Sequence, residues 1–139
     1  AMTKVDFYIL GSGSQEHTAC KLAEKAYHLG HRIYIHAPSA EQVQHPDKLL
    51  WPYREGSFVP HDRYQPGKTS ESPIVIGHHE APETDAEVLI NLAPSVPLFF
   101  SRFLRVAEVI GHDDSAKQDG RERFKFYRDR GYPTDTHKL

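Results

Sequence analysis

The residues best suited to binding chemistry lie near the end of the chain, on one side of a predicted helix. Lys117, Arg121, Phe124, Lys125 and Arg128 are spaced i, i+4, i+7, i+8 and i+11, so a helix brings them onto one face. Four cations and an aromatic ring make a poor core-facing stripe. They suit a ligand that combines negative charge with an apolar group, and we predict a binding surface there.

The opposite side of the same helix is predicted to pack on a sheet. It carries a line of mostly small residues: Ala116, Gly120, Arg123 and Tyr127. The alternative interpretation of the cationic side is a solvated face held by i, i+4 ion pairs. Phe124 lies within the basic stripe, whereas Asp119 and Glu122 lie off it, and this arrangement favours a binding surface.

A glycine-containing loop raises the possibility of a nucleotide site. Gly11-Ser12-Gly13 follows an apolar run and precedes a predicted helix, as the phosphate loop of a dinucleotide fold does. The third glycine of that motif would be residue 16, which is Glu16, and a carboxylate there repels phosphate. No Lys-Ser/Thr pair follows the glycines, which excludes a P-loop. An ordinary strand-helix loop is favoured, and a nucleotide-binding enzyme stays as an alternative.

Other catalytic and metal chemistry has little support in the sequence. Cys20 lies in the middle of a predicted helix, no G-x-S-x-G occurs, and Asp113-Asp114 is typical of a helix start. The ten histidines are scattered and lack the spacing of a zinc site. We therefore expect no catalytic residues, no metal and no cofactor.

Length and charge limit the classes of partner. A chain of 139 residues favours a single domain over residues 1–139. The net charge is −2, but from Lys117 onward seven Lys and Arg stand against four Asp and Glu. A local basic site on a slightly acidic body suits one acidic ligand and predicts little direct DNA binding.

Targeting signals are not recognisable in the sequence. We find neither a basic-then-apolar leader nor a run of about 18 apolar residues. The lone cysteine fits a reducing compartment. We expect a cytoplasmic protein that does not span a membrane.

The remaining pattern predicts strands alternating with helices. Strands are predicted at 5–10, 32–37, 74–77, 88–92 and 106–110, and helices at 15–29, from Ser39 to a break near His45, and from Asp113 to near Gly131. Residues 48–51 are a short helical restart after Pro46, 62–73 a polar loop, and 97–103 a helical turn. This order predicts a small α/β fold with a mainly parallel sheet and helices on both faces.

A second aromatic cluster lies in a segment punctuated by proline and glycine. Trp51 is the only tryptophan, and Phe58 follows it in Phe58-Val59-Pro60-His61. Such residues either cap a core or act as hot spots for a protein partner. The sequence leaves both interpretations open.

Taken together, these motifs resemble those of the chi subunit family of bacterial DNA polymerase III. The resemblance runs nearly end to end, through Val5-Asp6-Phe7-Tyr8, Gly30 to Ile35, Leu50-Trp51, Ser57 to His61, Glu87 to Leu92, Lys117-Gln118, Arg121 to Lys125 and Tyr127-Arg128. The spacing W-x6-F-V-P-H followed by R-E-R-[YF]-K-x-Y-R is the most specific part. Phe124 stands where tyrosine is usual, which keeps the ring and removes the hydroxyl.

The resemblance implies a non-catalytic accessory subunit with a nucleotide-binding-like fold that lacks a phosphate loop. Members of the family bind the acidic C-terminal tail of single-stranded DNA-binding protein and link it to the clamp loader. Such tails end in aspartates, a proline and a terminal phenylalanine. By this resemblance, Ile110 and Phe124 would line the pocket for the aromatic ring, and Arg121 would pair with the terminal carboxylate. Lys117, Lys125 and Arg128 would meet the aspartates.

The resemblance also implies further partners. In the family, the region that matches Trp51 and Phe58 contacts the psi subunit or, alternatively, a repair helicase. Pro46 and Pro52 bracket Trp51 here and depart from the family pattern, which puts the psi contact in doubt.

Overall fold

The computed structural model describes residues 2–39, 61–68, 71–79 and 82–139. The strands and helices are β1 (Lys4–Ile9), α1 (Gln15–His28), β2 (Ile33–His36), β3 (His61–Arg63), β4 (Ile74–Gly77), β5 (Val88–Asn91), a 3-10 helix (Phe100–Arg102), β6 (Arg105–Ile110), α2 (Asp114–Asp129) and β7 (Thr134–Lys138). The predicted helix after Ser39, its break at Pro46 and its restart at 48–51 lie outside the described residues.

The seven strands form one sheet in the order β3-β4-β2-β5-β6-β1-β7. Every described pair is parallel. Parallel neighbours need crossover connections, which usually contain helices that cover the sheet faces. The α/β fold class predicted from the sequence is therefore confirmed, with a sheet that is wholly parallel in the described residues.

Each of the two α-helices in the described residues covers a different face of the sheet. On one face, α1 buries Ala19, Cys20 and Ala23 among aliphatic side chains of the central strands. On the other face, Tyr127 of α2 packs with Phe7 and with the aromatic residues before β6. The prediction of helices on both faces is confirmed, and Cys20 is a fully buried small side chain.

Both helices begin at side-chain caps. The Ser14 hydroxyl accepts a hydrogen bond from the His17 backbone N–H at 3.0 Å, and the Asp113 carboxylate accepts one from the Ala116 N–H at 2.8 Å. Each bond satisfies a backbone donor that lacks a partner within the helix. The predicted start of α2 at Asp113 is confirmed, and the helix ends two residues before Gly131, which has φ +79°.

Two strands correct the prediction from sequence. The segment 62–73 was predicted to be a loop throughout, but β3 occupies its first residues and pairs with β4. No strand was predicted after Pro133, yet β7 pairs with β1 along its whole length. Both strands lie at edges of the sheet and are polar, so the period-2 apolar pattern that identifies a strand is missing.

Candidate functional site

A buried polar network fixes α2 on the sheet. Arg123 donates from Nε to Glu108 Oε1 at 2.8 Å, and the Tyr127 hydroxyl donates to Glu108 Oε2 at 2.7 Å. Asn91 Nδ2 also donates to Glu108 Oε1 at 2.9 Å. Glu108 is 0% exposed and Arg123 is 4% exposed, so the two charges are paired away from water.

The network governs the protonation of its members. Burial raises the pKa of Glu108, and the Arg123 guanidinium together with the hydrogen bonds from Tyr127 and Asn91 opposes that rise. Burial beside the Glu108 carboxylate raises the pKa of Tyr127, so its hydroxyl stays a donor. Arg123 also donates from Nη1 to the Pro94 carbonyl at 2.8 Å, which ties α2 to the turn after β5.

A glycine allows α2 to approach the sheet closely. A Cβ atom on Gly120 would lie 2.9 Å from both Cδ1 and Cγ2 of Ile110 on β6. Such distances are below van der Waals contact, so any larger residue must displace the isoleucine. Gly120 therefore sets the position of Ile110 beneath the helix, as the predicted packing line requires.

Beside this contact lies an open groove between α2 and the sheet edge, with a volume of about 720 Å³. Its lining comes from β1, β6, α2 and β7: Phe7, Ile9, Ile110, Lys117, Gln118, Gly120, Arg121, Glu122, Phe124, Lys125, Arg128, Thr136 and Lys138. The groove holds five cationic side chains and one carboxylate, Glu122. The electrostatic potential of the groove therefore favours the binding of an anion.

The floor of the groove is apolar. Ile9 and Ile110 are paired across β1 and β6. The Phe124 ring meets Phe7 edge-on, with centroids 5.3 Å apart, and Phe124 is half-buried. Edge-to-face rings at this distance attract one another and hold Phe124 in place at the side of the groove.

Neighbouring polar groups orient part of the cationic rim. Arg121 donates from Nη2 to Gln118 Oε1 at 2.8 Å, one helical turn earlier. Arg128 pairs with Asp129 at 3.2 Å, with side chains 59% and 49% exposed. Both contacts are exposed and weak, so both guanidinium groups can exchange them for a ligand carboxylate.

The groove brings together every residue predicted for tail binding. Six side chains from two elements line it: Ile110, Lys117, Arg121, Phe124, Lys125 and Arg128. Trp51 and Phe58, predicted for a protein partner, lie outside the described residues.

Seven further lining residues were not predicted for binding. Three lie on α2 between the predicted ones, namely Gln118, Gly120 and Glu122, and four come from strands, namely Phe7, Ile9, Thr136 and Lys138. The two from β1 could have been found from strand alternation, because Phe7 and Ile9 share a face of a predicted strand. The two from β7 had no comparable signal, because that strand was not predicted.

The glycine loop offers a contrasting site at the start of α1. The Ser14 side chain already occupies one of the N–H groups that a phosphate would need, and Glu16 lies in the first helical turn. A Cβ on Gly11 would lie 3.0 Å from the Leu139 carbonyl oxygen, so the end of the chain crowds the loop. This arrangement lacks the open cradle of donors that binds a phosphate.

The histidines are dispersed through the described part of the chain. No group of three or more His, Cys, Asp or Glu side chains among those residues is arranged to hold a metal ion. Burial, with His78 nearby, lowers the pKa of His36 to about 4, so that ring is neutral near pH 7.

The fold and the groove define a small α/β protein with a parallel sheet and a basic groove that has an apolar floor. The structure is similar to the crystal structure of T4 UvsW, with a TM-score of 0.69 and 9% identity, over 99% of this chain and 41% of that one. At that identity the likeness concerns the fold alone. Within the described residues, neither helix combines the length and apolarity that crossing a bilayer requires.

Sequence comparison then gives the family. The family model described as "DNA polymerase III chi subunit, HolC" matches residues 2–135, so the chain belongs to the DNA polymerase III chi subunit family. DNA polymerase III subunit chi of Pseudomonas aeruginosa is 37% identical over 99% of this chain and 98% of the relative. The subunit chi of Escherichia coli is 29% identical over 97% of each chain, and that of Haemophilus influenzae 30% over 96% and 95%.

Proposed function

We propose that this chain binds the acidic C-terminal tail of single-stranded DNA-binding protein in the groove between α2 and the sheet edge. The observation that carries the proposal is the clustering of five cations around an apolar floor. A peptide ending in aspartates, a proline and a terminal phenylalanine has the complementary chemistry. In this role the chain is a non-catalytic accessory subunit of DNA polymerase III that supports DNA replication in the cytoplasm.

The apolar floor supports recognition of the terminal phenylalanine. Ile9, Ile110 and Phe124 offer two aliphatic side chains and a ring edge to an incoming aromatic group. Burying a phenylalanine side chain contributes about 1.5–3 kcal/mol. Since the floor is formed by β1 and β6 of the sheet, the site is largely pre-formed and loses little free energy to ordering on binding.

The cationic rim supports recognition of the acidic groups. Arg121 and Ile110 both line the groove, so a terminal carboxylate bound there would accept two parallel hydrogen bonds from the Arg121 guanidinium. Lys117, Lys125 and Arg128 would meet the aspartates, each contributing about 0.2–1 kcal/mol as an exposed pair. We expect micromolar affinity that falls as salt rises, because exposed ion pairs are screened.

Family membership supports a wider role as a link between single-stranded DNA-binding protein and the clamp loader. The partner on the clamp-loader side would be a psi subunit that contacts the region of Trp51 and Phe58. This part of the proposal rests on the family alone, because both residues lie outside the described ranges.

Titration of a fluorescently labelled tail peptide tests the groove. We expect Arg121→Ala to weaken binding about ten- to a hundredfold, because a charge-assisted bidentate hydrogen bond contributes roughly 1.5–3 kcal/mol. Arg102→Ala is the matched control, since Arg102 is an exposed arginine of the 3-10 helix and does not line the groove. Unchanged affinity in Arg121→Ala would rule out this site.

A further inference from the structure

The groove has a second wall, formed by the C-terminal strand rather than by α2. Thr136 and Lys138 of β7 line it opposite the helix. Side chains alternate along a strand, so Asp135 and His137 lie on the other sheet face. Lys138 is therefore a cation presented by the sheet to a site whose other four cations come from the helix.

Contacts on the opposite sheet face fix the position of this wall. His137 Nε2 lies 3.1 Å from Asp6 Oδ1, and the His137 ring stacks on Tyr8 with centroids 4.8 Å apart. Lys4 Nζ donates to Asp135 Oδ2 at 2.6 Å. The backbone N–H of Leu139 donates to the Ile9 carbonyl at 2.9 Å, so the pairing with β1 continues past Lys138.

The strand register places Lys138 at one particular end of the groove. Ile9 is paired with Ile110 on one side and with Lys138 on the other. These three residues thus form a row across neighbouring strands, about 10 Å from Ile110 to Lys138 at roughly 4.8 Å per strand. Gly120 packs on Ile110, and Arg121, the next residue of α2, lines the same groove from the helix side.

We propose that Lys138 is a second cation of the subsite that receives the C-terminal end of the peptide, acting with Arg121 on one carboxylate. This inference rests on the proposed tail-binding function. An apolar terminal residue seated on Ile9 and Ile110 has its carboxylate between the guanidinium of Arg121 and the flexible ammonium of Lys138. The family match ends at residue 135, so it does not extend to Lys138.

The consequence is selectivity for a free peptide end. Cations that pair with aspartates strengthen the binding of any acidic peptide. A pair of cations that contacts the terminal carboxylate instead favours a free C-terminus over a peptide that continues or is amidated. The two walls therefore bind different parts of the peptide. Lys117, Lys125 and Arg128 of α2 pair with its aspartates, and Lys138 of β7 contacts its C-terminal carboxylate together with Arg121.

The experiment compares two synthetic peptides that end in aspartates, a proline and a phenylalanine, one with a free C-terminal carboxylate and one amidated. Fluorescence anisotropy gives the Kd of each for the wild-type chain, Lys138→Ala, Lys138→Arg, Arg121→Ala and Lys21→Ala. Lys21 is an exposed lysine of α1 that does not line the groove and serves as the matched control.

We expect Lys138→Ala to raise the Kd of the free-acid peptide about two- to fivefold, the size of one exposed ion pair, and to leave the amide peptide unchanged. Lys138→Arg should restore wild-type affinity, and Lys21→Ala should match the wild type. Equal weakening of both peptides, or no change with the free acid, would overturn the assignment of Lys138. If the wild-type chain binds neither peptide, or if Arg121→Ala leaves the Kd of the free-acid peptide unchanged, the proposed function itself fails. If Arg121→Ala raises that Kd and Lys138→Ala does not, only the inference about Lys138 is rejected.

Discussion

Arg121 and Arg123 lie two positions apart on α2 and have opposite environments. Arg123 is 4% exposed and pairs with a fully buried carboxylate, Glu108. Arg121 is exposed, donates a hydrogen bond to its helical neighbour Gln118, and lines the groove. The difference shows that the two faces of α2 have different roles. Arg123 holds the helix against the sheet, and Arg121 is available to pair with an anion.

The largest expected effect is on stability, from Arg123→Ala. Removing this guanidinium leaves the buried Glu108 charge without its cation, which should lower the free energy of unfolding by about 3–5 kcal/mol. Chemical denaturation monitored by circular dichroism measures the loss. Arg121→Ala, two residues away and exposed, is the matched control and should stay within about 0.5 kcal/mol of the wild type.

The loss in Arg123→Ala should depend on pH in a defined direction. Burial raises the pKa of Glu108 above its ordinary value of 4.5, so the folded state binds this proton more tightly than the unfolded state does, and removal of Arg123, which opposes the rise, strengthens this preference. Stability gained by this preference is present below the ordinary pKa and is lost as pH rises through the raised folded pKa. Arg123→Ala should therefore be less destabilised at acid pH, and a loss that grows on acidification would contradict this role of Glu108.

A smaller effect is expected at the boundary between the two faces, from Gly120→Val. The new side chain meets Ile110 within van der Waals distance and displaces the groove floor. We expect about 1–3 kcal/mol of destabilisation from overpacking, together with weaker tail binding. Ser115→Val, an exposed position in the first turn of α2, controls for the β-branched residue. Full tail affinity in Gly120→Val would show that the floor is not part of the binding site.

The sequence was sufficient to predict α2 and both of its faces. The spacing of Lys117, Arg121 and Lys125 fixes one side of any helix, and Gly120 and Tyr127 fix the other, because helical periodicity is a local property. The caps and the apolar strands are also local, so Asp113 and the strand 106–110 could be predicted from their immediate neighbours.

Partners from distant parts of the chain could not be predicted in this way. Glu108 is a charge inside a buried strand, and only the fold brings Arg123 and Tyr127 to it. The polar strand β7 is held by Lys4 and Asp6, more than a hundred residues earlier. The positions of Thr136 and Lys138 in the groove could therefore not be predicted from the sequence, because they depend on the order of strands in the sheet.

The groove and the glycine loop lie in comparable positions on the sheet. Both follow the carboxyl ends of sheet strands, where open α/β sheets usually bind ligands. At the loop, Ser14 occupies a backbone donor, and the chain end lies against Gly11. In the groove, cations surround an apolar floor that remains open. The proposed ligand surface therefore lies along the side of α2 and not at the start of α1.

Chemical-shift mapping of the ¹⁵N-labelled chain during titration with the tail peptide tests the central claim most directly. The expected result is a set of perturbed amides along residues 117–128, at Ile9 and Ile110, and at Thr136 and Lys138. The amides of Gly11 to Ser14 and of α1 should stay unchanged. Perturbations centred on the glycine loop, with the α2 amides unmoved, would contradict the assignment of the groove as the binding site.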